Sequence, residues 1–230
     1  MTLTNQRYLG WLAIYNSSLG KKIVTGITGL GLSLFVLFHL VGNLLILSDR
    51  DGYNQLAHWL ENLRFLLYAV ELLLVVLALL HIVVGITIRL NATRVRPVGY
   101  KELKTAGSPS KQSLSSRSMA VTGIAIAGFL VWHLASFKFG TYYTTTVEGV
   151  EMRDLSRLVI EKFQQPLYAF GYPVAIALLG LHLRHGIWSA AQSLGLLEGS
   201  NTDSFHRWSW ILAAAISFGF IAVPLTIYLG

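Results

Sequence analysis

Cysteine is absent from this chain of 230 residues. Disulfides, thiolate-held iron–sulfur clusters and thioether attachment of a cofactor are excluded together. Charge is also scarce. Only 13% of the residues are charged, where a soluble domain carries roughly 25%, and 53% are hydrophobic. That deficit predicts a polytopic membrane protein. With eleven acidic residues in all, any metal must be held by histidine or by those few carboxylates. The net charge of +7 reads first as membrane topology rather than as nucleic-acid binding. Residues 1–20 lack a signal-peptide layout, and the first apolar run is too long for a cleaved segment, so it is expected to be retained.

Uncharged stretches predict five spans, at about 22–47, 65–90, 118–138, 166–192 and 207–229. Each meets the roughly 20 residues that a helix needs to cross the hydrocarbon core. Glu71 lies inside the second span and Arg184 inside the fourth. Pro166 sits at a permissive helix start, whereas Pro173 and Pro224 are expected to kink their helices. The expected fold is an all-α membrane bundle, one integral-membrane domain over 1–230, with no second domain and no internal repeat.

The connection after the second span carries Arg94, Arg96, Lys101, Lys104 and Lys111 against Glu102. Its basic excess puts it, and the N-terminus, inside, with the C-terminus outside. The same charges also suit a docking surface for an acidic partner. Ser108, Pro109, Ser110, Ser113, Ser115 and Ser116 predict flexibility there. In the outer connections, Tyr53, Leu56, Leu60 and Leu63, and then Leu155, Val159 and Phe163, recur at helical spacing. Both sets predict short amphipathic helices on the membrane surface.

Four of the spans each hold a histidine: His39, His81, His133 and His182. An ionised side chain at membrane depth costs at least ~2.5 kcal/mol, so such residues have partners or functions. Counting 1.5 Å per residue from the inner ends puts His39 about 25 Å and His133 about 22 Å up, with His81 about 13 Å and His182 about 15 Å up. The depths therefore sort into an outer pair, His39 with His133, and an inner pair, His81 with His182. Neutral imidazole is the usual ligand of haem iron, and two bis-histidine haem sites account for four histidines at two levels. Gly85 follows His81 by four residues and Gly186 follows His182 likewise, which leaves room for a flat macrocycle or for close helix packing. His185 competes with His182 as a ligand but has Ser189 in the equivalent place. His58 and His206 read as loop residues at the surface.

The segments Ser17-Ser18-Leu19-Gly20-Lys21-Lys22, Thr28-Gly29, His39-Leu40-Val41-Gly42-Asn43-Leu44 and His182-Leu183-Arg184-His185-Gly186-Ile187-Trp188-Ser189 stand out. With them the chain resembles the dihaem cytochrome b membrane anchor of succinate dehydrogenases and fumarate reductases, in its single five-helix form. The resemblance implies two haems b, held by His39 with His133 and by His81 with His182. It also implies flavoprotein and iron–sulfur partners on the inner face, quinone (expected to be menaquinone) as electron acceptor, and residence in a bacterial cytoplasmic membrane. The chain itself would do no dicarboxylate chemistry. His58, Glu61, Arg64 and Glu71 are candidates for a quinone site, although the first three also suit an ordinary wet interfacial helix. Glu71 is either a proton carrier or a residue with a partner of its own. Lys21, Lys22, Arg89 and Arg184 are candidates for haem propionates, and snorkelling topogenic charge explains them equally well. Rival readings are a dihaem cytochrome of another quinone-linked dehydrogenase, a histidine-relay transporter and an anchor without haem.

Overall fold

The computed structural model describes residues 17–95, 114–197 and 202–230. Five long helices dominate it, each apolar and long enough to cross a membrane. They are α1 (Ser18–Leu44), α3 (Phe65–Val95), α4 (Leu114–His133), α6 (Pro166–Ser193) and α7 (Thr202–Leu229). Between them lie two short helices, α2 (Arg50–Asn62) and α5 (Leu155–Phe163), and a hairpin of β1 (Thr144–Val147) and β2 (Val150–Arg153). These small elements gather at one end of the bundle, here termed the hairpin face.

The spans run as their composition requires. A 3-10 turn over Leu45–Leu47 extends α1, and a π turn over Leu134–Lys138 extends α4. Pro166 occupies the first turn of α6, where its missing N–H costs nothing. Pro173 and Pro224 lie inside helices that continue past them. Asn91–Val95 belong to α3, and Ser115 and Ser116 already belong to α4, so the loop expected over 91–116 is shorter at both ends. Its remaining residues, with Arg96, Lys101, Glu102, Lys104 and Lys111, lie outside those described. His206 is on α7 rather than in a loop.

Packing between the spans relies on small residues, because lipid removes the hydrophobic drive that holds soluble helices together. α7 packs most extensively on α6. At that crossing a Cβ on Gly180 would fall 2.2 Å from Ser217 Oγ. One on Gly219 would fall 2.9 Å from the Leu40 side chain, which brings α1 against α7. A core of Leu40, Leu183, Ile187, Ala213 and Ile216 fills this junction. Nearer the hairpin face, Ile46, Tyr53, Val159, Phe163, Tyr172, Ile176 and Val223 form a second core that seats α2 and α5 on the bundle. By contrast α3 packs chiefly on α1, and most of its apolar surface faces outward.

The hairpin is absent from the sequence expectations. Its strands pair from Thr144 with Arg153 to Val147 with Val150. The two turn residues, Glu148 and Gly149, have φ of 51° and 79°. That left-handed pair is the geometry two-residue hairpins prefer, and Gly149 adopts it without a Cβ penalty. Asn54 of α2, buried at 2% exposure, ties the hairpin face together. Its amide donates to Asp154 Oδ1 at 3.0 Å and to Ser156 Oγ at 3.2 Å, and accepts from the Ser156 N–H at 2.9 Å.

Candidate functional site

His39 on α1 and His133 on α4 meet edge to face, with ring centroids 5.7 Å apart. His81 on α3 and His182 on α6 meet with centroids 6.1 Å apart at 72°. A metal–imidazole bond is about 2 Å, and the ring centre lies about 1 Å behind the nitrogen, so two imidazoles opposed across one metal hold their centroids about 6 Å apart. Both pairs have that separation. Among the described residues no group of three His, Asp or Glu side chains gathers as a metal-ion site. The two pairs are therefore the described histidines placed to hold a metal between two imidazoles.

The pairs occupy two levels. His81 Nδ1 lies 3.2 Å from the Thr25 carbonyl and 3.3 Å from Thr28 Oγ1, and a Cβ on Gly29 would come within 3.0 Å of His81 Cε1. His39 is eleven residues beyond Thr28 on the same helix, which is about 16 Å along its axis. It lies toward the hairpin face. On α4 the arrangement recurs. Thr122 Oγ1 is 3.1 Å from His182 Nδ1, and a Cβ on Gly123 would stand 3.4 Å from His182 Cε1.

This recurrence is written in the chain. α1 and α4 both read Thr-Gly-x9-His, as Thr28-Gly29 to His39 and Thr122-Gly123 to His133. α3 and α6 both read His-x-x-x-Gly. Each half also carries a surface helix capped by aspartate: Asp49 accepts from Gly52 N–H, and Asp154 from Arg157 N–H. The expectation of no internal repeat is thus corrected. The two halves differ in loop length, which hides the match from a fixed-period search. A Cβ on Gly85 or Gly186 would meet nothing within 4 Å, so there is open room one turn beyond each ring of the His81–His182 pair. Gly31 and Gly42 instead approach Leu77 and Leu56 as helix contacts.

The surroundings of His39 and His133 differ. Phe35 stacks on His39, while Phe129, Phe137 and Tyr172 surround His133. Asn43 Nδ2 lies 3.3 Å from Nδ1 and 3.4 Å from Nε2 of His39, so it singles out neither nitrogen. Asn43 in turn accepts from the Tyr53 hydroxyl at 3.2 Å. Burial pushes the Tyr53 phenol up to about 12 against the opposing charge of Arg153, which keeps it a neutral donor. His185 stands outside both ring pairs. Its ring lies 6.2 Å from that of Trp188, whose other neighbour is His206 at 5.7 Å.

On the hairpin face a pocket of about 450 Å³ is lined by His58, Glu61, Asn62, Arg64, Tyr68, Tyr142, Glu151, Met152 and Arg153. Three of the four quinone-site candidates thus share one cavity. Arg64, at the α2–α3 junction, has a φ of 38° that turns the chain sharply between the two helices. Glu71 is not part of this lining; it forms an ion pair with Lys138 of the π turn. Tyr142, Glu151 and Arg153 join the pocket because the hairpin folds over it, a contact that helical spacing alone does not reveal. Asp154, beside it, has its carboxyl held below the ordinary value. Burial opposes its charge, but hydrogen bonds from Arg157 N–H, Asn54 and Ser156 and the Arg157 guanidinium outweigh that. At the opposite end, Lys21 and Lys22 occupy the first turns of α1, Arg89 lies two turns beyond His81, and Arg184 directly follows Leu183 on α6. Compared with known proteins, the chain matches no family model, no curated protein and no solved structure.

Proposed function

We propose that the chain is the dihaem cytochrome b membrane anchor of a succinate:quinone oxidoreductase. The observation that carries this reading is the presence of two histidine pairs at two depths, each with the ring separation of a bis-histidine metal site. Bound at those levels, two haems b would supply one-electron carriers on either side of the membrane midplane. The protein's part is to hold the ligands, to keep water from them and to place the two levels about 16 Å apart along α1. In this reading the hairpin face is the outer face, and the basic connection after α3 is inside, where flavoprotein and iron–sulfur partners dock. The sequence resemblance supplies the partners and the substrate class.

The hairpin-face pocket is proposed to receive the quinone, expected to be menaquinone. What supports it is chemistry: His58 and Tyr142 offer hydrogen-bond donors, Arg64 and Arg153 offer positive charge, and Glu61 and Glu151 can exchange protons. Purification of the tagged chain from its native membranes tests the reading. Two larger subunits carrying flavin and iron–sulfur clusters should accompany it, with succinate–quinone reductase activity. A haem-containing chain that brings a different dehydrogenase would move it to another quinone-linked complex. A colourless chain would remove the cytochrome reading. In the complex, His133→Ala should abolish quinone reduction while dye-linked succinate oxidation continues.

A further inference from the structure

Threonine in a membrane helix commonly returns its hydroxyl proton to the carbonyl one turn back, and both Thr28 and Thr122 do so. Thr28 Oγ1 donates to Val24 O at 2.8 Å, with Thr25 O at 3.2 Å as the alternative. Thr122 Oγ1 donates to Ser118 O at 3.0 Å, with Met119 O at 3.2 Å as the alternative. A hydroxyl has one proton and two lone pairs. In each case a backbone carbonyl of the same helix takes the proton, and the oxygen's lone pairs are then left for the facing histidine.

The consequence falls on the rings. His81 Nδ1 faces two acceptors, Thr28 Oγ1 and the Thr25 carbonyl. His182 Nδ1 faces Thr122 Oγ1. His81 Nδ1, facing a carbonyl that can only accept, carries the proton; His182 Nδ1 carries it while Thr122 donates to its own backbone, and each Nε2 lone pair is then available. Thr28 and Thr122 are 4% and 2% exposed, so water does not offer a competing arrangement. Gly29 lets the His81 ring come this close, because a Cβ there would stand 3.0 Å from Cε1.

We propose that Thr28 and Thr122 are positioning residues that lock His81 and His182 in the Nδ1–H tautomer and tune how strongly each Nε2 donates to the shared metal. The proposal rests on the reading of this pair as haem ligands. A hydrogen bond from the non-ligating nitrogen raises the basicity of a histidine ligand and so favours the oxidised metal. Loss of the acceptor should therefore raise the midpoint potential of that haem. The two threonines are not equivalent. Thr28→Val leaves His81 the Thr25 carbonyl, whereas Thr122→Val removes the hydroxyl acceptor from His182.

The test is a redox titration of the haem bands in the purified complex, together with haem content, for Thr122→Val, Thr28→Val and Thr122→Ser. Valine keeps the branched shape and loses the hydroxyl; serine keeps the hydroxyl. Thr122→Val should raise the midpoint of one haem and leave the other in place. Thr28→Val should raise the same wave by less, and Thr122→Ser should titrate as wild type. Loss of a single haem in Thr122→Val, with retention in Thr122→Ser, also supports the role. Should Thr122→Val fail to accumulate, the shift in Thr28→Val decides. Unmoved midpoints with both haems retained would overturn the proposal and leave the haem reading intact. A wild-type complex without haem would overturn the haem reading itself.

Discussion

His81 and His182 each rest on a Thr-Gly step of a neighbouring helix, whereas His39 and His133 are enclosed by aromatic rings and approached by one amide. The first pair comes from α3 and α6 and leans on α1 and α4, whereas the second comes from α1 and α4 themselves. The difference follows from position. Far from the hairpin face, a backbone carbonyl and the hydroxyls of the facing helices lie against the imidazole nitrogens, and an unsatisfied donor in hydrocarbon is costly. Near the hairpin face, Phe35, Phe129, Phe137 and Tyr172 of α1, α4, its π turn and α6 crowd the rings, and α2 adds a polar chain from Tyr53 through Asn43. One pair is thus fixed by hydrogen bonds and the other by packing.

Several measurements sharpen that contrast. The largest expected effect separates His182 from its neighbour: His182→Ala should remove one of two haems, while His185→Ala, whose ring lies against Trp188, should retain both. Next comes the hairpin face itself. Asn54→Ala strips partners from Asp154 and Ser156 and should cost about 1–3 kcal/mol, read as a lower Tm, with no change in the haem at His81 and His182. Acid should act at the same place. Asp154 has a depressed folded-state pKa, so its contribution is complete above its unfolded value of about 3.9 and is lost as pH falls through the folded one. Melting curves should therefore show an acid-dependent loss below about pH 4 that is weakened in Asp154→Asn. The smallest effect distinguishes the two glycines. Gly29→Ala must displace the His81 ring by a few tenths of an ångström and should shift its haem spectrum, whereas Gly123→Ala makes ordinary contact and should not.

The spans were legible because hydrocarbon imposes a length and a composition that no other environment demands. Depth counted along those spans groups the histidines as the structure groups their rings, since a straight helix converts residue number into distance. The surface helices were legible from Tyr53 and Leu56 and from Val159 and Phe163, whose spacing marks one apolar face. The hairpin was not, because Glu148-Gly149 is a weaker turn signal than Asn-Gly and the surrounding charges read as loop. Thr28 stood out only as part of Thr28-Gly29, and the contacts of Thr28 and Thr122 with the histidines escaped for another reason. A threonine inside an apolar run satisfies itself on its own helix, and only the facing helix reveals what its second lone pair does. The partner of Glu71 was hidden likewise, since Lys138 is the last residue of the π turn that extends α4.

The central claim is that the four histidines form two separate sites, one at each level. Haem content in two double variants tests it directly. His39→Ala with His133→Ala empties one site and should leave one haem b per chain. His39→Ala with His81→Ala breaks both sites and should leave none. Equal haem content in the two double variants, or a haem surviving only in the second, would contradict the pairing.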